Sequence, residues 1–209
     1  IQLTPSQRAI LTHAHQHTEG KIIWFPENIK GGARQKVIDG LSKRTLITIK
    51  DGKRRFNHRI AGLAFRDGHV LVHRATHETF WTFPGGRAEI GETSTETLVR
   101  EMQEELGVAA VVGPLLWIVE NFFDYEGKAW HELGLYYRME IPNSFPFHPT
   151  DIIHRNEDGK NSLEFKWVPA TRQALKALDI PPYFIAEEIE NLPASPKHVV
   201  WHDGDLDTP

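Results

Sequence analysis

The stretch that decides the fold runs from Gly85 to Val108 and reads GGRAEIGETSTETLVREMQEELGV. It holds six glutamates, and its second half has the spacing of an amphipathic helix. Such a segment is either a solvated helix face or a scaffold for metal ions. The positions of its carboxylates around the helix distinguish between these two alternatives.

A helix over Thr93–Leu106 separates apolar from acidic residues, because successive residues are rotated by about 100°. Glu101, Glu104 and Glu105 then stand at i, i+3 and i+4, where like charges repel one another. This crowding is tolerated in water or around a cation, and an oxygen-only ligand set suits Mg²⁺ or Mn²⁺. The neighbouring arc, predicted to face the core, consists of Leu98, Val99, Met102 and Leu106.

The residues that flank this helix favour the metal interpretation. Gly85 and Gly86 let the backbone approach a ligand closely, with a carbonyl free to coordinate an ion. Glu92 adds a carboxylate just ahead of the helix, and Gly107 is a predicted C-cap. Arg100 lies off the glutamate arc, from where it can hold a carboxylate through bidentate hydrogen bonds.

The segment resembles the Nudix (MutT-like) hydrolases. Every fixed position of the Nudix box is matched, by Gly86, Glu92, Arg100, Glu101, Met102, Glu104, Glu105, Gly107 and Val108. The preceding stretch WTFPG, residues 81–85, is also similar to that family. The resemblance covers roughly residues 56–192 and implies an α/β/α sandwich with a mixed sheet.

The resemblance also implies an activity. A metal-activated water would attack phosphorus in a nucleotide or nucleoside diphosphate derivative, with Mg²⁺ as the cofactor and Mn²⁺ as an alternative. Glu101, Glu104 and Glu105 would ligate the metal, and Glu101 or Glu105 would help to activate the water. Glu92 and the carbonyl of Gly86 would complete the metal site.

Some residues are assigned with less support from the motif. Arg100 would act with the catalytic glutamates by orienting Glu101. Many relatives use a further acid from outside the box, for which Glu132 and Glu164 are candidates here. Neither of these two residues belongs to a motif.

Three residues near the box are candidates for substrate binding. Arg74 ends a predicted strand and Arg87 lies in the glycine-rich loop, so either could hold a substrate phosphate, with a simple surface charge as the alternative. Trp81 could stack on a base or belong to the core. Which nucleotide is bound stays open, because the box supplies only the diphosphate chemistry.

The N-terminal part has a different character. Residues 1–58 carry 11 Lys and Arg against 4 acidic residues, a net charge of +7, whereas the remainder carries 13 against 24, a net charge of −11. Thr4 is a predicted N-cap with Pro5 at the first helical position, and a second helical pattern covers residues 33–44. A hairpin closed by Asp51-Gly52 follows, which predicts a small α+β winged helix-turn-helix-like module over residues 1–55.

The role of this module has open alternatives. Its basic residues could bind DNA phosphates, or the module could dock on the acidic half or mediate a homodimer. The three histidines of HAHQH, residues 13–17, have no acid or cysteine to complete a metal site, which favours an exposed polar helix.

The remainder, residues 56–209, is predicted to be one α/β domain. Strand patterns occur in IAGLAF, HVLVHR, FWTFP, LLWIVENFF, LGLYYRMEI and LEFKWVP, with a turn at Asp67-Gly68. Helices are expected over residues 171–178 and 184–192, and residues 145–154 are expected to form a loop.

Composition limits the functional classes. The absence of cysteine excludes disulfides, cysteine-ligated zinc and thiol nucleophiles. No apolar run is long enough for a membrane span and no signal-peptide pattern is present, which favours a cytoplasmic protein without a membrane partner. The first functional hypothesis is a Nudix pyrophosphohydrolase; the alternative is a transcription regulator whose Nudix domain senses a nucleotide.

Overall fold

The computed structural model describes residues 3–17, 20, 22, 24–44, 46–47, 55–158 and 161–203. The chain separates into two compact units, Ile1–Gly52 and Lys53–Pro209. No helix in the described part of the chain is long and apolar enough to cross a membrane.

The described residues of the first unit include two helices, α1 (Pro5–His17) and α2 (Gly32–Ser42). The predicted start of α1 is confirmed, since the Thr4 hydroxyl accepts from the Gln7 N–H at 3.2 Å and the Gln7 side chain accepts from the Thr4 N–H at 3.1 Å. This reciprocal pair satisfies two N–H groups that the helix leaves unpaired. Most of the predicted wing, residues 46–55, lies outside the described residues.

The histidines of α1 make aromatic contacts. The ring of His13 stacks on Trp24 with 4.4 Å between centroids, and its centroid lies 4.7 Å from that of His17. Within the described chain, no cluster of three or more His, Asp or Glu is arranged to hold a metal ion, and these histidines are no exception. Residues 13–17 lie in α1, as expected of a helical segment.

The second unit, where the structure describes it, consists of a sheet and three helices. Its elements are β1 (Arg55–Arg66), β2 (His69–Ala75), β3 (Gly85–Arg87), α3 (Ser94–Leu106), β4 (Val111–Tyr125), β5 (Lys128–Glu140), β6 (Ile152–Asp158), β7 (Asn161–Pro169), α4 (Arg172–Ala177), α5 (Phe184–Glu188) and β8 (Lys197–His202). The strand order is β6-β7-β2-β1-β5-β4-β8, with β3 also paired to β1. The pairs β1–β5 and β4–β8 are parallel and the others are antiparallel, so the sheet is mixed as predicted.

Alternation along β1 divides the core into two layers. Ile60 and Ala64 belong to an apolar cluster that also contains buried side chains of α3, whereas Ala61 and Leu63 belong to a cluster that contains side chains of α4 and α5. Successive strand residues point to opposite faces, so each face of the sheet buries its own set. Helices therefore cover both faces, and the α/β/α sandwich is confirmed.

The turn between β1 and β2 was predicted correctly. Asp67 and Gly68 both have positive φ, 47° and 73°. Two successive positive φ values match the right-handed twist of a tight hairpin, and Asp-Gly is a favoured pair for that conformation.

Several sequence expectations for this unit were wrong. Residues 80–84 form no regular strand, only a single bridge between Thr82 and His73, since their apolar side chains reflect burial rather than sheet pairing. β6 begins at Ile152, inside the expected loop, and α5 ends at Glu188 instead of residue 192. β8 was not predicted; it adds to the sheet only through its pairing with β4.

Candidate active site

The start and end of α3 are fixed by its own sequence. Thr93 is the N-cap, its hydroxyl accepts from the Glu96 N–H, and the Glu96 carboxylate accepts from the Thr93 N–H. Gly107 ends the helix with φ 66°, the left-handed conformation that glycine adopts without strain. Glu96, which matches no fixed position of the box, therefore serves the helix itself.

The sheet covers a narrower arc of α3 than the apolar pattern indicates. Thr97, Leu98 and Met102 are fully buried, and Leu106 is nearly so. Val99 is 39% exposed, so its predicted place in the core was wrong. The buried arc is centred on Leu98 and Met102, and Val99 lies at its solvent side.

β3 brings the glycine-rich loop against the glutamates of α3. It pairs with the first half of β1, with Gly86 opposite Ile60. A Cβ atom added to Gly86 would lie 2.2 Å from the carboxylate carbon of Glu101, and one on Gly85 would lie 2.1 Å from the carbonyl oxygen of Ile60. The space that a side chain at Gly86 would fill is thus occupied by the Glu101 carboxylate.

The guanidinium of Arg100 joins the carboxylates of the box. It donates from Nε and Nη2 to the two oxygens of Glu92 at 2.6 and 3.0 Å, a bidentate pair. Nη1 donates to Glu101 and Glu104, each at 2.9 Å. Nη2 also donates to the backbone carbonyl of Arg87 at 3.2 Å, which ties α3 to β3.

The surroundings of Glu92 and Glu101 shift the pKa values of these two carboxylates in opposite directions. The hydrogen bond from Arg100, with one from the backbone N–H of Glu89, lowers the pKa of Glu92 to about 2. Burial raises the pKa of Glu101; the hydrogen bond from Arg100 opposes this, and the charges of Glu105 and Glu104 raise it further. Glu101 thus lies in a place where negative charge is crowded and a cation would be stabilising.

The structure adds His73 to this site. Its Nδ1 lies 3.5 Å from Oε2 of Glu105, both atoms are buried, and neither has a hydrogen-bond partner. The separation exceeds a normal hydrogen bond. His73 belongs to no motif. The one feature of the sequence that could have identified it is its place near the end of a predicted strand, one residue before Arg74.

β6 holds the end of α3. The His154 side chain contacts the carbonyl oxygen of Glu105 at 2.9 Å, and Asn156 donates to that of Glu104 at 3.0 Å. Carbonyls in the last turn have no partner within the helix, so these contacts satisfy groups that would otherwise need water. They also fix the backbone that carries the two glutamates.

The residues present fit a divalent cation in their chemistry. The donor set consists of carboxylate oxygens, one of which, Oε2 of Glu105, is buried without a hydrogen-bond partner. The Glu101 carboxylate fits against Gly86 only because that residue has no side chain. They do not form a ready cage, since no described group of three or more His, Asp or Glu is arranged around one point. Arg100 accounts for this, because it draws Glu92, Glu101 and Glu104 towards itself.

A cavity of ≈ 500 Å³ is lined by two residues that contact the box, one at Glu105 and one at Arg100. His73 and Arg87 both line it. Nε of Arg87 donates to Oδ1 of Asn57 at 2.7 Å, and Nδ2 of Asn57 donates to Glu132 at 2.6 Å. Two of the residues predicted from the sequence, Arg87 and Glu132, thus line the cavity.

The other candidates outside the box make contacts among themselves. Arg74 donates to Glu164 at 3.1 Å, and its guanidinium lies 4.7 Å from the centre of the Trp81 ring. Burial raises the pKa of Glu164, but hydrogen bonds from Arg74 and Arg155 outweigh it and leave the pKa lowered. Trp81 is 5% exposed, as expected of a core residue. The described residues that line the cavity do not include these three predicted positions.

Comparisons with known proteins place the same segment in a known family. The family model described as the NUDIX domain matches residues 56–184. A CTP pyrophosphohydrolase of Escherichia coli is 27% identical over 132 residues, which cover 56% of this chain and 87% of that protein. An 8-oxo-dGTP diphosphatase of Proteus vulgaris is 46% identical over 44 residues, 21% of this chain and 39% of that protein. The crystal structure of a NUDIX hydrolase from Nitrosomonas europaea is similar with a TM-score of 0.47 at 18% identity, covering 70% and 79% of the two chains.

Proposed function

Because this chain belongs to the Nudix family of hydrolases acting on phosphoanhydride bonds, we propose that it is a Mg²⁺-dependent pyrophosphohydrolase of nucleotides or nucleoside diphosphate derivatives. The observation that carries the proposal is the set of glutamate carboxylates on α3. There Glu101 is packed into the space left by Gly86, and the buried Oε2 of Glu105 has no hydrogen-bond partner.

Nudix hydrolases generally use divalent metal ions, and we assign the ion here to Glu101, Glu104 and Glu105, with Glu92 and the Gly86 carbonyl in support. When bound, the ion activates water and offsets charge on the phosphate oxygens. The chemistry of the donors favours Mg²⁺, with Mn²⁺ as a substitute, because hard oxygen ligands select these ions.

The chain's own residues position the reacting groups. Arg100 holds Glu92 by two hydrogen bonds and Glu101 by one, so the geometry of the carboxylates does not depend on the long glutamate side chains alone. Glu101 or Glu105 accepts a proton from the attacking water. Arg87, at the wall of the cavity, offers a positive charge to the substrate phosphates.

A nucleotide panel tests the proposal. The full chain is incubated with nucleoside triphosphates, 8-oxo-dGTP, ADP-ribose and nucleotide sugars, with Mg²⁺ and with EDTA, and released phosphate and nucleoside monophosphate are measured. CTP belongs in the panel because the E. coli relative is named for it. Mg²⁺-dependent release from at least one compound is expected; binding without release would favour the nucleotide-sensing alternative.

The variant Glu105→Gln addresses the assigned site. It keeps the size of the side chain and removes its charge, so turnover is expected to fall about 10²- to 10⁴-fold. The thermal unfolding midpoint without metal should stay close to that of the parent chain. Glu89→Gln, an exposed residue outside the fixed positions of the box, is the matched control. Retained activity of Glu105→Gln on the best substrate would overturn the assignment.

A further inference from the structure

The floor of the cavity is a polar row carried by three neighbouring strands. Asn57 on β1 and Asn121 on β4 are each aligned with Glu132 on β5, and all three line the cavity. Glu132 is 6% exposed and Asn121 is 7% exposed. Polar side chains this deep in a sheet need hydrogen-bond partners, because burying them without one is costly.

The row is not satisfied by the protein alone. Glu132 accepts from Asn57, but Oδ1 of Asn121 is buried and has no hydrogen-bond partner. Nε1 of Trp130, another residue of the cavity wall, is also buried and without a partner. The group that completes Asn121 must be a hydrogen-bond donor, since Oδ1 can only accept.

The walls indicate what kind of group enters. Aromatic side chains provide flat apolar surface suited to a planar ring; they are Phe80, Phe123, Tyr125, Trp130, Tyr136 and Tyr183. Acidic residues outnumber basic ones among the described lining residues; they are Glu78, Asp124, Glu132, Asp179 and Asp203, against Arg59 and Arg87. The end of the ligand away from Arg87 is therefore planar and uncharged or positive, with an N–H donor for Oδ1 of Asn121 and an acceptor for Nε1 of Trp130.

We infer that this floor binds the exocyclic amino group of a nucleobase, so that the preferred substrates are nucleotides of cytosine, adenine or guanine. The inference rests on the proposed function and names its substrate class. An amino group carries two N–H donors, one for Oδ1 of Asn121 and one for the carboxylate of Glu132. Uracil and hypoxanthine present a carbonyl oxygen instead, which cannot donate to Asn121 or Glu132 and leaves both of these acceptors unpaired.

Matched pairs of nucleotides isolate this contact. CTP and UTP, and likewise ATP and ITP, differ at the position where one member has the amino group and the other a carbonyl. The amino-bearing member of at least one pair is expected to have a kcat/KM about 10²-fold higher or more, because a site built to hydrogen-bond a substrate group rejects analogues that lack it. Binding of CMP and UMP, measured by calorimetry without metal, gives the same comparison independently of hydrolysis.

Two variants connect the preference to the floor. Asn121→Leu has a similar size and no acceptor, so it should lower kcat/KM for the amino-bearing nucleotide and bring the two members of the pair to within a few-fold. Glu132→Gln should reduce the preference as well. Asn143→Leu, an exposed loop position, is the control. Should Asn121→Leu fail to fold, the substrate pairs on the parent chain decide.

The outcomes separate this inference from the proposed function. Hydrolysis without an amino preference, or with a preference set only by the sugar, overturns the inference and leaves the proposed function standing. Absence of hydrolysis together with tighter binding of CMP than of UMP supports the inference and rejects the proposed function. If none of CMP, AMP and GMP binds more tightly than UMP and IMP, the inference is overturned.

Discussion

At the scale of single residues, Gly86 is the glycine that packs directly against a glutamate of the site. Because a methyl group there would collide with the Glu101 carboxylate rather than with backbone, Gly86→Ala should displace that carboxylate at little cost to folding. A misplacement of about 1 Å can cost about 10²-fold in rate, so a loss of kcat of that order is expected. The test measures kcat and the thermal unfolding midpoint of the same variant. Gly32→Ala, where an added Cβ meets nothing within 4 Å, is the control; full activity of Gly86→Ala would contradict the argument.

His73 gives a second prediction at this scale. Its imidazole is the group that faces Oε2 of Glu105, at 3.5 Å, while its backbone pairs with Thr82 regardless of the side chain. His73→Leu should therefore fold normally and lose about 10- to 100-fold in activity, the usual effect of removing a group that orients a ligand. Steady-state kinetics and circular dichroism test this, with His77→Ala, 57% exposed in its side chain, as control. Unchanged kcat in His73→Leu would rule out a positioning role.

At the scale of elements, α3 was the part of the fold that could be predicted best. Its limits depend on local chemistry, Thr93 and Glu96 at one end and Gly107 at the other, so they are readable from a few adjacent residues. β6 and β8 could not be predicted in this way. Their pairing partners, β7 and β4, are set by tertiary packing, and their own sequences alternate too weakly to indicate a strand.

The same contrast applies to the site. The carboxylates and Arg100 follow from spacing on one helix. His73 and the row of Asn57, Glu132 and Asn121 come together only through the register of separate strands, which a single sequence does not reveal. The sequence motif on α3 therefore predicted the carboxylates assigned to the reaction, but it could not predict the polar row at the cavity floor.

The cap of α3 leads to a prediction for this element. Thr93→Ala removes the hydroxyl that accepts from the Glu96 N–H and should lower the free energy of unfolding by about 1 kcal/mol. Chemical denaturation measures the change. Gln103→Ala, an exposed position on the same helix, is expected to have little effect. Equal stability of both variants would mean that packing of α3, and not its cap, fixes where the helix begins.

At the scale of the whole molecule, the chain combines two units with separate interiors. Ile10 and Leu41 are buried within the first unit, and the second has apolar clusters on both faces of its sheet. The family match over residues 56–184, the glutamates of α3 and the cavity floor all belong to the second unit. All residues that we assign to the proposed reaction belong to this second unit.

The fragment Lys53–Pro209 should therefore fold and hydrolyse by itself. Its kcat/KM on the best substrate is expected to lie within about threefold of that of the full chain, since its core and its site are its own. Thermal unfolding should show one transition, raised by Mg²⁺ because an ion that binds only the folded state stabilises it. Glu105→Gln in the same fragment should lose that Mg²⁺ response. A folded fragment with much lower kcat/KM would mean that residues 1–52 take part in substrate binding, which would give the basic N-terminal unit a role in the reaction itself.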